Sequence, residues 1–584
     1  MKIIASLLLG SLTLAHASQA GQRRLEKSTL AGYQPQTQIT NEAALDLDQQ
    51  ILEERAGVAD FDHAQRIYSN GGHSGSFALI TLIAPPDNKS YKAGTTVMGF
   101  TERGSDLIAS LKEDTEWGVV NGGNVTIEVL YTVSDEQSHH VDCMVGDLFA
   151  LEAAYRVGCL KPSGEIEIIP VTPSQTIDKF TYEYDARLDN INWLTLQSLS
   201  TNAETTMRSL SGSYYSDFQK FVEFYGDTNY ADKWVLGAAN GEDTAFSKNR
   251  GNANFSALWH TGGGKGRVEA MTHGVWLLNV WMYVIRQMEY AIDLCSVECT
   301  EATKDACEDH AVAEWDKAVA YYAGSLAGEN GDGHGVFPYA YANTRAKEFK
   351  TTGYNSDDVS GASYVNLEAI YLFQRGQGIL MEDIGSASRC DSAKNIKNSI
   401  TNLMKVPLIQ SIYRFAWMRE FQTNFDEKHQ ATAATYAAAL LPYVHECKAS
   451  DSSFLYDHMK IGAHADNAEG SFAKIKSKLE GIYDCLGVTC SQIGGIYADG
   501  EYAEGAEPCK DGSFVIDRTP EGMRQSEGAP QNDRNPVVTL GAIVAVFALL
   551  GLAGVVYLRR KAPKEIEDTK NIAAVTAISD VDLA

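Results

Sequence analysis

The sequence predicts an α+β protein: a small N-terminal β-sandwich-like domain, a mainly α-helical repeat domain, a polar stalk and one transmembrane helix. Three observations carry that prediction. Short β-branched runs crowd the stretch from 70 to about 170, helical patterning dominates from about 187, and an uncharged run extends from Val537 to Leu558.

The ends set the topology. A helix rising about 1.5 Å per residue needs roughly 20 apolar residues to cross a hydrocarbon core of about 30 Å, and 537–558 supplies them. Arg559, Arg560 and Lys561 follow at once and mark the cytosolic side. Lys2 precedes the apolar stretch Ile3–Leu14, and Ala15-His16-Ala17 has the small-x-small pattern of a secretory cleavage site, so 1–17 reads as a signal peptide. A lipid-anchor signal would end in its apolar run, whereas here a tail, 559–584, follows. The polar segment 511–535 reads as a flexible stalk. The expected outer domains are a β-rich one at 40–185 and an α-helical one at 187–510.

Composition agrees with export. All 10 cysteines lie between Cys143 and Cys509, an even number that reads as disulfides outside the cell. Cys143 with Cys159 and Cys485 with Cys490 are expected local bridges. Cys295, Cys299 and Cys307 would suggest zinc only in a reducing compartment. Sequons at Asn88, Asn124 and Asn254 predict glycosylation. The net charge of -27 repels nucleic acid and anionic lipid and concentrates cations; plain solubility accounts for most of it.

Along the chain, Ser76–Ile83, Thr95–Phe100, Asn124–Val133 and Glu165–Ile169 are short, β-branched and bounded by turn residues, which predicts a small sandwich. Trp276–Ile292 is apolar around most of its circumference, interrupted by Asn279 and Arg286, and reads as a buried helix. Lys394–Phe421 and Ala431–His445 are also helical in pattern. Segments 217–226, 313–324 and 429–440 look related, with Tyr225, Tyr322 and Tyr436 in similar places. Phe337-Pro-Tyr339 and Phe454-Leu-Tyr456 follow the second and third. The expectation is a bundle of three related lobes whose loops meet.

The strongest chemical constellation follows the second repeated helix: Asp332, His334, Tyr339, Tyr341 and Arg345 within one short stretch. Tyr456, Asp457 and His458 stand at the matching place in the third lobe, with His464 and Asp466 beyond. Phenolate and carboxylate are hard oxygen donors that favour ferric iron, imidazole completes a shell, and a guanidinium suits a bidentate anion such as carbonate. Ionising a phenol near pH 8 costs roughly 2.7 kcal/mol, which a trivalent ion can offset and a weakly bound divalent ion cannot. Protons competing for all these donors predict release in acid. The candidate metal ligands are thus Asp332, His334, Tyr339, Tyr341, Tyr456, Asp457 and His458, with Arg345 as the anion-binding residue. The competing reading is packing: Tyr-rich segments cap helices with wet hydroxyls, Tyr321 and Tyr322 belong to a helix core, and a lone His273 is structural. Arg286, Arg375 and Arg414 in apolar helices call for anion partners, for which ion pairs suffice. The glycine-rich loop from Gly262 to Arg267 lacks the spacing of a phosphate cradle. No hydrolase, metalloprotease or zinc-finger signature is present, which argues against an enzyme.

At AEWDKAVAYYAGS (313–325), supported by FPYAYANTRAKEF (337–349), the chain resembles the phytotransferrins, a family of algal iron-assimilation proteins of diatoms and related marine algae. The likeness covers most of 190–500. It implies a plasma-membrane receptor that binds Fe(3+) together with carbonate and is internalised by the endocytic machinery to release iron in an acidified vesicle. It brings no residue-level ligand motif, and the tail has no clear dileucine signal. Against this expectation stand a cell-surface adhesion or scaffold glycoprotein and an extracellular hydrolase using paired acids.

Overall fold

A computed structural model describes residues 29–71, 76–85, 89–92, 94–100, 106–111, 115–117, 123–131, 163–169, 177–184, 194–259, 264–296, 304–381, 387–463 and 471–510. The expected signal peptide, stalk, membrane span and tail lie outside these residues, as do Asn88, Cys143, Cys159, Cys299, His464 and Asp466. Among the described residues, no helix is long and apolar enough to cross a membrane.

The architecture is mixed α+β. Its sheet consists of β1 (Ser76–Leu82), β3 (Thr96–Phe100), β4 (Asp106–Leu111), β6 (Val125–Tyr131), β7 (Ser163–Ile169) and β8 (Asp178–Tyr184). The order β1-β6-β4-β3-β7-β8 closes on itself through an antiparallel β1–β8 pairing, Ile80 opposite Tyr184. The expected sandwich is therefore corrected to a closed barrel. Alternate residues point inward: Ile80 and Leu82, Ile127 and Val129, Ile166 and Ile168, Phe180 and Tyr182 are all buried in one cluster. Alternation is silent on closure, which depends on pairing two strands about 100 residues apart and leaves no open edge. The short strands β2 (Lys89–Tyr91) and β5 (Thr115–Trp117) pair beside it as a separate ribbon.

A second correction concerns the start of the β unit. Residues expected at its N-terminal side form α1 (Leu45–Gly57) and α2 (Phe61–Asn70), and their Leu45, Leu52, Ile67 and Tyr68 belong to the helical core. The barrel is thus an insertion in the chain of a helical body. That body continues with α3 (Ser216–Tyr225), α4 (Tyr230–Asn240), α5 (Lys265–Gly274), α6 (Trp281–Cys295), α7 (Lys304–Ala323), α8 (Pro338–Phe349), α9 (Tyr364–Leu380), α10 (Ala387–Phe421), α11 (Glu427–Cys447), α12 (Ala449–Met459) and α13 (Phe472–Glu480), short turns aside.

The expected buried helix is present. A π-helical segment, Val275–Val280, joins α5 to α6, and all six of its residues are buried. Asn279 is tolerated there because its amide donates to the Leu196 carbonyl (2.7 Å) and lies 3.2 Å from both the Tyr68 and Ser200 hydroxyls. The helix α11 begins with a reciprocal cap between Asp426 and His429 and buries the small side chains Ala431, Ala434 and Ala438. The three segments read as repeats are α3, part of α7 and α11. They share one continuous core and do not form separate lobes. Their tyrosines also differ: Tyr225 donates to the Ala438 carbonyl (2.8 Å) and Tyr322 to Asn366 (2.6 Å).

Disulfides join Cys295 to Cys390, Cys447 to Cys485 and Cys490 to Cys509. The expected Cys485–Cys490 bridge does not form. Gly487, at φ +72°, turns the chain between them and sends the two sulfurs to different partners.

Candidate metal centre

Four helices and α1 deliver polar side chains to one interior point. Glu269 and His273 are four apart on α5, Tyr341 and Arg345 four apart on α8, and Lys428, Thr432 and Tyr436 successive fours on α11, so each set shares a face. Ser411, Arg414 and Phe415 come from α10, and Gln49 and Glu53 from α1.

The two phenols are the centre. The rings of Tyr341 and Tyr436 stack with centroids 5.1 Å apart at 24°. Trp276, in the π-helical segment, packs 4.7 Å from Tyr341 and 6.0 Å from Tyr436. The His273 ring lies 5.6 Å from Tyr436 and 6.3 Å from Tyr341. The Tyr436 hydroxyl is buried and near enough to Tyr341 to sense its charge, yet it makes no hydrogen bond of acceptable geometry.

Arg345 is fully buried. Its Nε donates to Tyr341 Oη at 2.7 Å and its Nη2 donates to the same oxygen, while Nη1 pairs with Glu348. The other Glu348 oxygen holds Arg414 Nε at 3.0 Å, and Ser411 Oγ lies 3.3 Å from Tyr341 Oη. On the opposite side Glu269 Oε2 accepts from Thr432 at 3.2 Å and stands 3.3 Å from His273 Nδ1, and Oε1 is 3.5 Å from Lys428 Nζ. With Nδ1 donating to Glu269, Nε2 of His273 has no hydrogen-bond partner among the described residues and keeps its lone pair.

Burial decides the protonation states. It pushes the Tyr436 phenol well above its ordinary value; the adjacent Tyr341 adds to this and Arg345 opposes it. Burial also raises Tyr341, with Arg345 pulling the other way. Burial lowers His273 against the pull of Glu269. Glu53, half-buried and facing Glu269, is pushed up to about 7 by desolvation despite a 2.7 Å hydrogen bond from Gln49. The resting site thus offers two neutral phenols and a neutral imidazole, donors that a strongly polarising cation would ionise and gather.

Two of the expected site residues, Tyr341 and Arg345, sit here. Tyr339, two positions from Tyr341 and so on the far side of α8, packs edge-on against Tyr322 at 6.1 Å, its hydroxyl beside Gly331 and Asp332. Asp332 and His334 are exposed. Tyr456, Asp457 and His458 fall inside α12, where about 100° per residue points them in three directions. Tyr456 donates to the Asn252 carbonyl (2.8 Å), Asp457 pairs with Lys460 at the surface, and His458 stacks on Phe454 at 4.3 Å. A shallow concavity lined by Phe415, Arg419, His458 and Lys460 borders the phenol site through Phe415.

The other flagged residues have plain roles. Arg286 lies 3.8 Å from Glu314 and Arg414 pairs with Glu348, while Arg375 is exposed, contrary to the expectation of burial. Arg267 is buried against Ala238 and Ala239 carbonyls and closes the end of α4. Asn124 and Asn254 are exposed.

Sequence reasoning missed His273, Glu269, Tyr436, Glu348 and Trp276. A usable signal existed: three helices each place phenol, imidazole, hydroxyl or charge at a spacing of four. Among the described residues, no three His, Cys, Asp or Glu side chains group closely enough to hold a metal ion, so any metal here depends on the phenols. No protein-family model, no curated protein and no solved structure matches the chain.

Proposed function

We propose that this chain is a cell-surface receptor, not an enzyme, that captures ferric iron with carbonate as co-ligand for uptake by endocytosis. One observation carries the reading: a buried phenol with an unbonded hydroxyl, Tyr436, stacks on the half-buried phenol of Tyr341, against an imidazole with a free nitrogen and a buried guanidinium. In this reading Tyr341 Oη, Tyr436 Oη and His273 Nε2 bind the ion. Glu269 orients the imidazole, and Arg345 supplies the planar edge that suits carbonate.

Energetics narrow the cargo. Each phenol costs roughly 2.7 kcal/mol to ionise near pH 8 at its ordinary value, and burial raises that cost for both. A trivalent hard ion offsets two such ionisations through its charge, and each phenol proton leaves to solvent. Lys428 matches the Glu269 carboxylate, and Arg345 and Arg414 share the single carboxylate of Glu348, which leaves one positive charge; with Fe(3+) it balances the four negative charges of two phenolates and carbonate. Membrane attachment through 537–558 and internalisation complete the proposal and rest on the sequence and its family likeness.

The test is optical. Ferric iron added with bicarbonate to the purified chain should produce a visible phenolate-to-iron band that Tyr341→Phe and Tyr436→Phe each weaken and the double variant abolishes. A colourless wild-type complex, or a band indifferent to both substitutions, overturns the assignment.

A further inference from the structure

We infer that Tyr341 occupies the anion seat in the metal-free protein, so that iron must bind before carbonate. The inference rests on the ferric reading above and adds the order of assembly to it. A guanidinium presents a two-pronged edge to a planar anion through Nε and one Nη. In Arg345 both prongs of that edge, Nε and Nη2, converge on Tyr341 Oη. The remaining nitrogen, Nη1, is committed to Glu348, which Arg414 anchors from the other side. Arg345 is also fully buried, so no water-exposed edge is left over. The seat for carbonate and the resting place of the Tyr341 hydroxyl are therefore the same place.

Three physical terms keep the anion out while the phenol is there. Tyr341 lies four residues from Arg345 on one helix, which gives the phenol a high effective concentration that a free anion must beat. Glu348, held between Arg345 and Arg414, places a carboxylate beside the guanidinium and repels a second anion. A carbonate would also have to shed its water to reach a buried group. A ferric ion held by Tyr436 and His273 changes all three. It draws the Tyr341 oxygen to itself as phenolate, the proton passing to solvent, and so vacates the edge of Arg345. Its positive charge then attracts the anion that fills the vacancy. Tyr341 is thus both a ligand and the plug of the co-ligand site.

The test uses metal-free full-length chain and 13C-labelled bicarbonate, with binding read from the line width of the label. Wild type should not bind it. Tyr341→Phe, which keeps the ring and removes the plug, should bind it at least about tenfold more tightly, as expected for uncovering a charged hydrogen-bonding group. Equal binding by the two proteins, or none by a folded Tyr341→Phe, overturns the inference. A second measurement needs no variant. With wild type, the visible band should grow at the same rate whether bicarbonate is added an hour before ferric citrate or together with it. A faster rise after preincubation means that the anion enters first, and the inference fails. Absence of any band would instead sink the ferric reading, so the two failures are distinguishable.

Discussion

Replacing Tyr436 by Phe should make the metal-free protein more stable while stripping it of iron affinity. The ring is fully buried and stacked against Tyr341, Phe415 and Trp276, and Phe keeps all of those contacts. The change removes only an oxygen that is buried without a hydrogen bond. An unsatisfied buried hydroxyl costs about 1–3 kcal/mol, and that cost disappears with the atom. Scanning calorimetry of metal-free wild type and variant should show an upward shift in apparent Tm. Tyr443 supplies the control: its hydroxyl is also buried without a hydrogen bond, on the same helix, among Lys220, Lys405 and Asp217 rather than at the phenol pair. Tyr443→Phe, which gives up a hydroxyl beside the Asp217 carboxylate, should leave the visible ferric band intact. A Tm that falls in Tyr436→Phe, or iron binding lost equally in both variants, would refute the idea that the Tyr436 hydroxyl is held ready at a stability cost.

Three further outcomes follow from the same geometry. Gly331→Ala would place a Cβ 1.9 Å from the Tyr339 hydroxyl at a φ of +76°, so it should destabilise by roughly 1–3 kcal/mol in denaturant titration yet retain the ferric band, because Tyr339 faces away from Tyr341. Arg345→Ala leaves the part-exposed Glu348 with Arg414 alone and should cost roughly 1–3 kcal/mol through the lost charged hydrogen bonds, whereas Arg345→Lys should keep iron binding but lose its dependence on bicarbonate in equilibrium dialysis. Glu53 is raised to about 7 in the folded chain from an ordinary 4.5, so the folded state holds its proton more tightly than the unfolded state. The burial cost of its carboxylate is therefore present above pH 7 and relieved as pH falls from about 7 to 4.5, and Glu53→Gln should raise stability at pH 8 and flatten that part of the pH profile. A profile unchanged by the substitution would show that Glu53 is not the titrating group.

Sequence patterning went far at the level of elements. Short β-branched runs bounded by turn residues marked four of the barrel strands, because strand preference and turn chemistry are local. The apolar circumference of 276–292 marked a buried helix, because nothing on its surface asks for water. The stretch 332–345 drew attention to Tyr341 and Arg345 through residue type. The same local reading placed Tyr339 and Tyr456–His458 at the centre, since a string of donors looks alike whether it is a loop or a helix. Once 456–458 is helical, its three side chains diverge, and proximity in sequence becomes separation in space.

By itself, the chain's order of residues determined where strands and helices form, which faces are apolar, and that phenols, acids and a guanidinium stand at helical spacing. Tertiary structure alone decided that the strands close into a barrel, that Cys485 meets Cys447, and that Tyr341 on α8, Tyr436 on α11 and His273 on α5 share one interior point. The reason is range. Secondary structure is written in contacts a few residues apart, whereas a site built from three helices depends on how those helices meet. That is set by the packing of the whole core and leaves no local mark.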